Sequence, residues 1–187
     1  MTKSLTYVIG APGVGKSTAV AAAIRLLGWG EPTQELKPFA HQVYGRYDAV
    51  QLGKQADNGF PGTDTLSLGV NPKAVEFISN STARTVIAEG DRLANRRFLE
   101  AAATNYAVSI VTIHAPLPVM YERMLERAAQ NGTPPQKESW WNGRYTKTQN
   151  LRNWTHPGVT HLSIDGTAPP STVAACLAKI ILEKGRR

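Results

Sequence analysis

A run of glycines near the start of the chain constrains its fold and chemistry most strongly. Residues 10–18 read Gly-Ala-Pro-Gly-Val-Gly-Lys-Ser-Thr and match the pattern G-x-x-x-x-G-K-[ST] without a mismatch. An apolar run at 5–9 precedes them, and a helix-forming run occupies 18–27. A strand, a glycine loop and a helix in this order direct backbone N–H groups and a helix N-terminus at one phosphate. This context disfavours a glycine-rich turn that binds nothing, and it predicts a phosphate-binding loop.

The residues of such a loop have separate tasks. Lys16 is predicted to reach the β- and γ-phosphates of a nucleoside triphosphate, and the Ser17 hydroxyl is predicted to ligate Mg²⁺. ATP and Mg²⁺ are therefore the expected cofactors. The residues predicted to bind the nucleotide are Gly10, Ala11, Pro12, Gly13, Val14, Gly15, Lys16, Ser17 and Thr18.

Strands and helices are predicted to alternate along the chain, which is typical of a parallel sheet covered by helices on both faces. The predicted elements after the first helix are strands at 39–44, 47–52, 85–89, 107–113 and 159–164, and helices at 72–80, 94–104, 118–130 and 171–184. The 187 residues suit a single domain spanning 1–187. The expected fold is therefore a three-layer α/β fold with a parallel central sheet, and ligands bind at the carboxyl ends of its strands.

Composition excludes several classes of protein. No apolar run approaches the ~20 residues of a membrane span, and the residues before the first predicted strand are too few for a signal peptide, so we expect a cytoplasmic protein with no membrane partner. Cys176 is the only cysteine, which excludes an internal disulfide, and its helix predicts a place in the core. The four histidines lack metal-ligand spacing.

The net charge of +7 is larger than nucleotide binding alone requires. A basic field attracts polyanions such as nucleic acid. The same charge can also serve solubility, and composition leaves the two interpretations open.

An acid-arginine pair comes directly after the predicted strand at 85–89. Glu89 or Asp91 is predicted to hold Mg²⁺ or its waters opposite Ser17, and Arg92 to contact a phosphate or the acceptor. The alternative is an ordinary salt bridge or a cap for the next helix.

The loop at 59–67 is rich in glycine and polar residues, and a long loop in a compact domain usually has a function. Asp64 is the candidate base for an acceptor hydroxyl, and Phe60 offers a stacking face. The alternative for Asp64 is an Asx turn, in which its side chain bonds only to its own backbone.

The segment 131–154 is predicted to be a lid without a clean secondary-structure period. Arg144 and Arg152 are predicted to close on the transferring phosphate, since guanidinium groups grip the oxygens of a loose phosphoryl transition state. Basic residues among aromatic ones also suit a strand of nucleic acid; the alternative is that the aromatic rings pack on the body of the protein. The segment contains Lys137, Lys147, Trp140, Trp141, Tyr145 and Trp154.

These motifs together resemble the P-loop kinases of nucleosides and nucleotides. The Asp91-Arg92 pair is similar to the acid-arginine pair of thymidylate and deoxynucleoside kinases, and 131–154 lies where those enzymes have their lid. The resemblance implies transfer of the ATP γ-phosphoryl group to a hydroxyl.

Residues 47–54 and 60–67 more narrowly resemble bacteriophage P-loop kinases of DNA hypermodification, which phosphorylate 5-hydroxymethyluracil within DNA. That resemblance implies DNA with a hydroxymethylated pyrimidine as the partner, in the cytoplasm of a host cell. The alternatives are a free deoxynucleoside or nucleotide kinase, and a nucleotide-dependent switch without transfer chemistry. The acidic base-loop pattern of deoxynucleoside kinases is missing after the first helix, which counts against a free nucleoside.

Overall fold

A seven-stranded sheet forms the centre of the molecule. The computed structural model describes residues 2–54 and 62–186. The strands are β1 Ser4–Ile9, β2 Thr33–Glu35, β3 His41–Tyr44, β4 Ala49–Leu52, β5 Thr85–Glu89, β6 Ala107–His114 and β7 Val159–Asp165. The helices are α1 Lys16–Leu26, α2 Asn71–Asn80, α3 Arg96–Ala103, α4 Leu117–Gln130, α5 Glu138–Arg152 and α6 Pro170–Arg186.

The sheet has the strand order β2-β3-β4-β5-β1-β6-β7. The five strands from β4 to β7 in this order pair in parallel, and β1, at their centre, is buried along its whole length. This confirms the predicted α/β class and its parallel core. At one edge, however, β3 pairs antiparallel with both β2 and β4, so the sheet is mixed.

Strand β2 is missing from the predicted elements. All three of its residues are exposed, and it is held by backbone pairing with β3. An apolar pattern marks a strand only where one face is buried, and β2 buries none.

Two apolar clusters, one on each face of the sheet, make the three predicted layers. One contains residues of α2 and α3, and the other contains residues of α1 and α6. Cys176 is exposed, which corrects the expected core position. The helical period of α6 turns Val173, Leu177 and Ile181 inwards, and Cys176 lies outside that stripe.

The predicted lid contains helix α5. The sequence did not predict this helix, because its polar and apolar residues follow no helical period. Leu151 is the one residue of α5 that is fully buried, so the helix shows almost no apolar stripe. Among the helices of the described chain, none combines the length and apolar character needed to cross a membrane.

Candidate active site

The glycine loop connects β1 to α1 as predicted. Gly15 caps α1 with a left-handed backbone, φ 89°. At Gly13, a Cβ atom would stand 2.4 Å from the backbone oxygen of Met120 in α4, so only glycine allows this close approach. The side chains of Ala11 and Val14 are buried in the core and anchor the loop from below.

A cleft of about 700 Å³ opens above the carboxyl ends of β1 and β5. Four segments that the sequence singles out contribute to it: the glycine loop, the loop after β5, the lid, and Asp64 from the loop at 59–67. The predicted site residues that line the cleft are Gly10, Pro12, Gly13, Gly15, Lys16, Ser17, Thr18, Asp64, Glu89, Asp91, Arg92 and Arg144.

Glu89 is the carboxylate that meets the glycine loop. The Ser17 hydroxyl donates a hydrogen bond of 3.1 Å to Glu89 Oε1. The Glu89 side chain is only 2% exposed, and this burial raises its pKa to about 7, although the Lys16 ammonium and the Ser17 hydrogen bond partly offset the rise. Glu89 is therefore poised between its protonated and ionised forms near neutral pH.

Lys16 lies between the loop and this carboxylate. Its ammonium donates hydrogen bonds to the backbone oxygens of Gly10, at 2.9 Å, and Ala11, at 3.2 Å. Burial lowers the pKa of Lys16, and the Glu89 and Asp64 carboxylates partly offset that effect. A negatively charged phosphate beside Lys16 would favour its charged form further.

The hydroxyl of Ser17 and the carboxylate of Glu89 are hard oxygen donors of the kind that Mg²⁺ takes. Among the described residues, no cluster of three or more acidic, histidine or cysteine side chains forms a complete protein cage for a metal. Two protein oxygens completed by phosphate oxygens and water fit the way Mg²⁺ binds beside nucleotides. The residues present therefore fit the expected cofactor.

Asp91, the other acid predicted for Mg²⁺, faces the lid instead. Its carboxylate forms ion pairs with Arg144 and with Lys147, whose ammonium lies 3.1 Å from Oδ1. Lys147 also donates a 2.7 Å hydrogen bond to the Asp91 backbone oxygen. The structure thus brings Glu89 to Ser17, whereas Asp91 connects β5 to α5.

The Asp64 carboxylate contacts the backbone of the loop that follows β5. Its Oδ1 accepts a 2.8 Å hydrogen bond from the Asp91 backbone N–H, and a Cβ on Gly90 would stand 3.0 Å from Oδ2. The partner of Asp64 is thus a distant residue, whereas an Asx turn would pair it with its own backbone. Tyr7 braces this contact, since its hydroxyl reaches Thr63 and the Gly90 backbone oxygen.

Arg92 lines the cleft with one donor unused. Its Nε is buried and finds no hydrogen-bond partner among residues 2–54 and 62–186. The alternative for this loop was a cap for the next helix. Asn95 provides that cap, since its side chain accepts a 3.1 Å hydrogen bond from the Phe98 backbone N–H.

The aromatic residues of the lid divide between cleft and core. Trp140 lines the cleft, with the Arg144 guanidinium 5.1 Å from its ring centre. Trp141 stacks on Tyr145 at 5.2 Å, and both rings pack against one apolar cluster, while Trp154 is buried in the other. The packing alternative therefore holds for every lid aromatic except Trp140, and Phe60 lies outside the described residues.

Arg152, predicted to close on the transferring phosphate, is exposed at the end of α5 and does not line the cleft. Arg127 of α4 does line it, and its charge lowers the pKa of both Lys16 and Glu89. No motif in the sequence marks Arg127, although the spacing of Arg123 and Arg127, four residues apart, would have shown two cations on one helix face.

A family model described as P-loop Nucleotide Kinase3 matches residues 1–161, which include every element of the cleft. The chain belongs to this family. It is therefore a P-loop kinase, and the predicted enzyme class is confirmed.

Solved structures with the same fold include two kinases. A gluconokinase from Sinorhizobium meliloti is 17% identical, with a TM-score of 0.52, over 97% of this chain and 94% of that one. A sugar kinase from Janibacter sp. is 13% identical, with a TM-score of 0.52, over 97% of this chain and 95% of that one. At these identities the likeness establishes the fold of the kinase alone. A comparison with curated proteins found no match.

Proposed function

We propose that this kinase transfers the γ-phosphoryl group of ATP to a hydroxyl held in the cleft. One observation carries the proposal: Lys16 and the Ser17–Glu89 pair lie in the same cleft as three arginines. Bound Mg²⁺ would neutralise charge on the phosphates. The cations that would stabilise the spread charge of the transition state are Lys16, Arg92, Arg127 and Arg144.

Asp64 is the proposed base for the acceptor hydroxyl. It lines the cleft, and its contact with the Asp91 N–H fixes the direction of the carboxylate. One oxygen is held by that hydrogen bond, which leaves the other to accept the hydroxyl proton as phosphoryl transfer begins.

The acceptor that we propose is the 5-hydroxymethyl group of a modified pyrimidine, such as 5-hydroxymethyluracil, in DNA. Support comes from the resemblance of the sequence at residues 47–54 and 60–67 to the bacteriophage kinases and from the net charge of +7. A base in a duplex would have to be flipped to reach the cleft, and Trp140 offers a ring face for it to stack on.

A free nucleotide, nucleoside or other small hydroxyl compound is the second candidate. The inward packing of Trp141, Tyr145 and Trp154 favours it, because it removes most of the aromatic platform expected for a nucleic-acid strand. The name of the family and the names of the two structural neighbours, kinases of gluconate and of a sugar, agree with a small acceptor.

The deciding experiment supplies labelled ATP and a panel of acceptors to the wild-type protein and to Lys16→Ala. The panel contains free nucleosides, nucleotides, gluconate, and DNA with and without 5-hydroxymethyluracil. We expect label only in hydroxymethylated DNA, and transfer by Lys16→Ala reduced by at least roughly a hundredfold because its phosphate contact is lost.

Label in a free acceptor at equal or higher efficiency would replace the DNA proposal with the second candidate. If no acceptor is labelled and the rate of ATP hydrolysis is the same with and without each acceptor, the protein is a nucleotide-dependent switch and the transfer proposal fails.

A further inference from the structure

Two adjacent arginines begin helix α3 beside the cleft. Arg96 and Arg97 are its first two residues, and both are exposed. Neither forms a salt bridge with any acid of the described chain, in contrast to Arg144, which is paired with Asp91. Their charges are therefore available to a partner in solution.

A third exposed arginine lies at the end of α5. Ala94, two residues before α3, and Leu151, at the end of α5, both line the cleft and belong to one apolar cluster, so both helix ends border the cleft. Arg152 comes directly after Leu151, and Arg96 two residues after Ala94. We call Arg96, Arg97 and Arg152 the arginine rim.

Arg96 and Arg97 lie in the first turn of a helix, where basic side chains are electrostatically disfavoured. The N-terminus of a helix carries partial positive charge and favours acidic side chains in the first turn. Helix α3 has no acid there and two arginines instead. Backbone N–H groups and guanidinium groups then combine at one place, which suits the phosphates of an anionic ligand.

ATP is not the ligand that the rim fits. Its phosphates belong at the glycine loop inside the cleft, whereas none of the three rim arginines lines the cleft. A partner that reaches both places must carry phosphates well beyond the acceptor group, as a polynucleotide does and a mononucleotide does not.

We propose that the arginine rim binds backbone phosphates of the DNA strand whose target base enters the cleft. The inference rests on the proposed function and adds a docking surface to it. Contacts of this kind position the strand without reading its sequence, and they make binding sensitive to salt.

The test compares Arg96→Gln/Arg97→Gln with a control of equal charge, Arg25→Gln/Arg46→Gln. Arg25 lies in the last turn of α1 and Arg46 precedes β4, so both control positions lie at the amino edge of the parallel strands, away from the cleft. Two measurements are made against salt: binding of unmodified DNA by fluorescence anisotropy, and KM for hydroxymethylated DNA.

We expect the rim variant to bind DNA at least roughly tenfold more weakly at 0.1 M salt, and its log–log salt slope to fall by about 1.4 to 1.8. The control should change both quantities far less, and the KM for ATP should not change in either protein. The Arg152→Gln variant should raise the KM for DNA and leave kcat unaltered.

Equal effects of the rim and control variants on DNA binding would overturn the rim, whether or not the wild-type protein phosphorylates DNA. A loss of kcat in Arg152→Gln would support the predicted contact of Arg152 with the transferring phosphate and would remove this residue from the rim. If DNA binds through the rim but only free nucleotides are phosphorylated, the proposed acceptor fails while the docking surface stands.

Discussion

At the scale of single residues, two neighbouring aspartates differ in their contacts. Asp64 points into the cleft and is fixed by a backbone N–H, while Asp91 is occupied by two lid cations. Arg144 contacts one carboxylate oxygen of Asp91 and Lys147 the other, so neither oxygen is free to contact an acceptor hydroxyl. Asp64 is therefore the better candidate for general base.

We expect Asp64→Asn to lower kcat by two to four orders of magnitude, roughly the usual range for loss of a general base. The KM for ATP should stay the same, and the amide oxygen of the substituted side chain can still accept the Asp91 N–H. Single-turnover transfer with labelled ATP measures the chemical step. A normal rate in the folded variant would remove Asp64 from catalysis.

At the scale of elements, one carboxylate of the body forms ion pairs with two cations of the lid. Arg144 and Lys147 lie three residues apart on α5, so both reach Asp91 at the end of β5. The same guanidinium stacks on Trp140. Asp91 thus holds a charge and an aromatic ring of the lid over the cleft.

We expect Asp91→Asn to loosen α5, and hydrogen exchange within residues 138–152 should become faster while exchange in β1 stays unchanged. The KM for the acceptor should rise several-fold, and the Mg²⁺ concentration for half-maximal rate should not move. Asp48→Asn is the control, since Asp48 pairs with Arg84 at 3.8 Å, away from the lid.

The opposite pattern would restore the metal role that the acid-arginine motif predicts for Asp91. In that case the Mg²⁺ requirement would rise and the exchange of α5 would match the wild-type protein.

At the scale of the whole molecule, the buried Glu89 links catalysis to stability. Its pKa rises from an ordinary 4.5 to about 7 in the folded protein, chiefly through burial. Between these two values the folded state binds more protons than the unfolded state. The free energy of unfolding therefore falls as pH rises from about 4.5 to 7, by on the order of 3 kcal/mol, and levels off above 7.

We expect Glu89→Gln to remove this pH-dependent fall in the free energy of unfolding. A neutral amide does not ionise in the buried site, and its oxygen can still accept the Ser17 hydrogen bond. The variant should be more stable than the wild-type protein at pH 8, by on the order of 3 kcal/mol, and the difference should vanish near pH 4.5. Urea unfolding from pH 4 to 8 measures it, with the exposed Glu183→Gln as control.

Kinase activity of Glu89→Gln should be lost together with its response to Mg²⁺. A stability difference that is flat across this pH range would refute the raised pKa.

The sequence alone was enough to predict the nucleotide loop, because the spacing of Gly10, Gly15 and Lys16 is local and has one structural solution. It determined the α/β class for a similar reason, since buried parallel strands such as 107–113 read as continuous apolar runs. The place of Glu89, Asp91 and Arg92 at the carboxyl edge of the sheet was also readable, since they lie at the end of such a strand.

Which of these residues face one another depends on how the strands and helices pack together. Glu89 meets Ser17 because β5 pairs with β1 in register, and that pairing joins residues more than 70 positions apart. Arg127 enters the cleft because α4 packs against Gly13, and Trp141 leaves it because the body of the protein offers an apolar surface. A sequence pattern reports which face of an element is apolar, whereas contacts between elements depend on packing that no local pattern encodes.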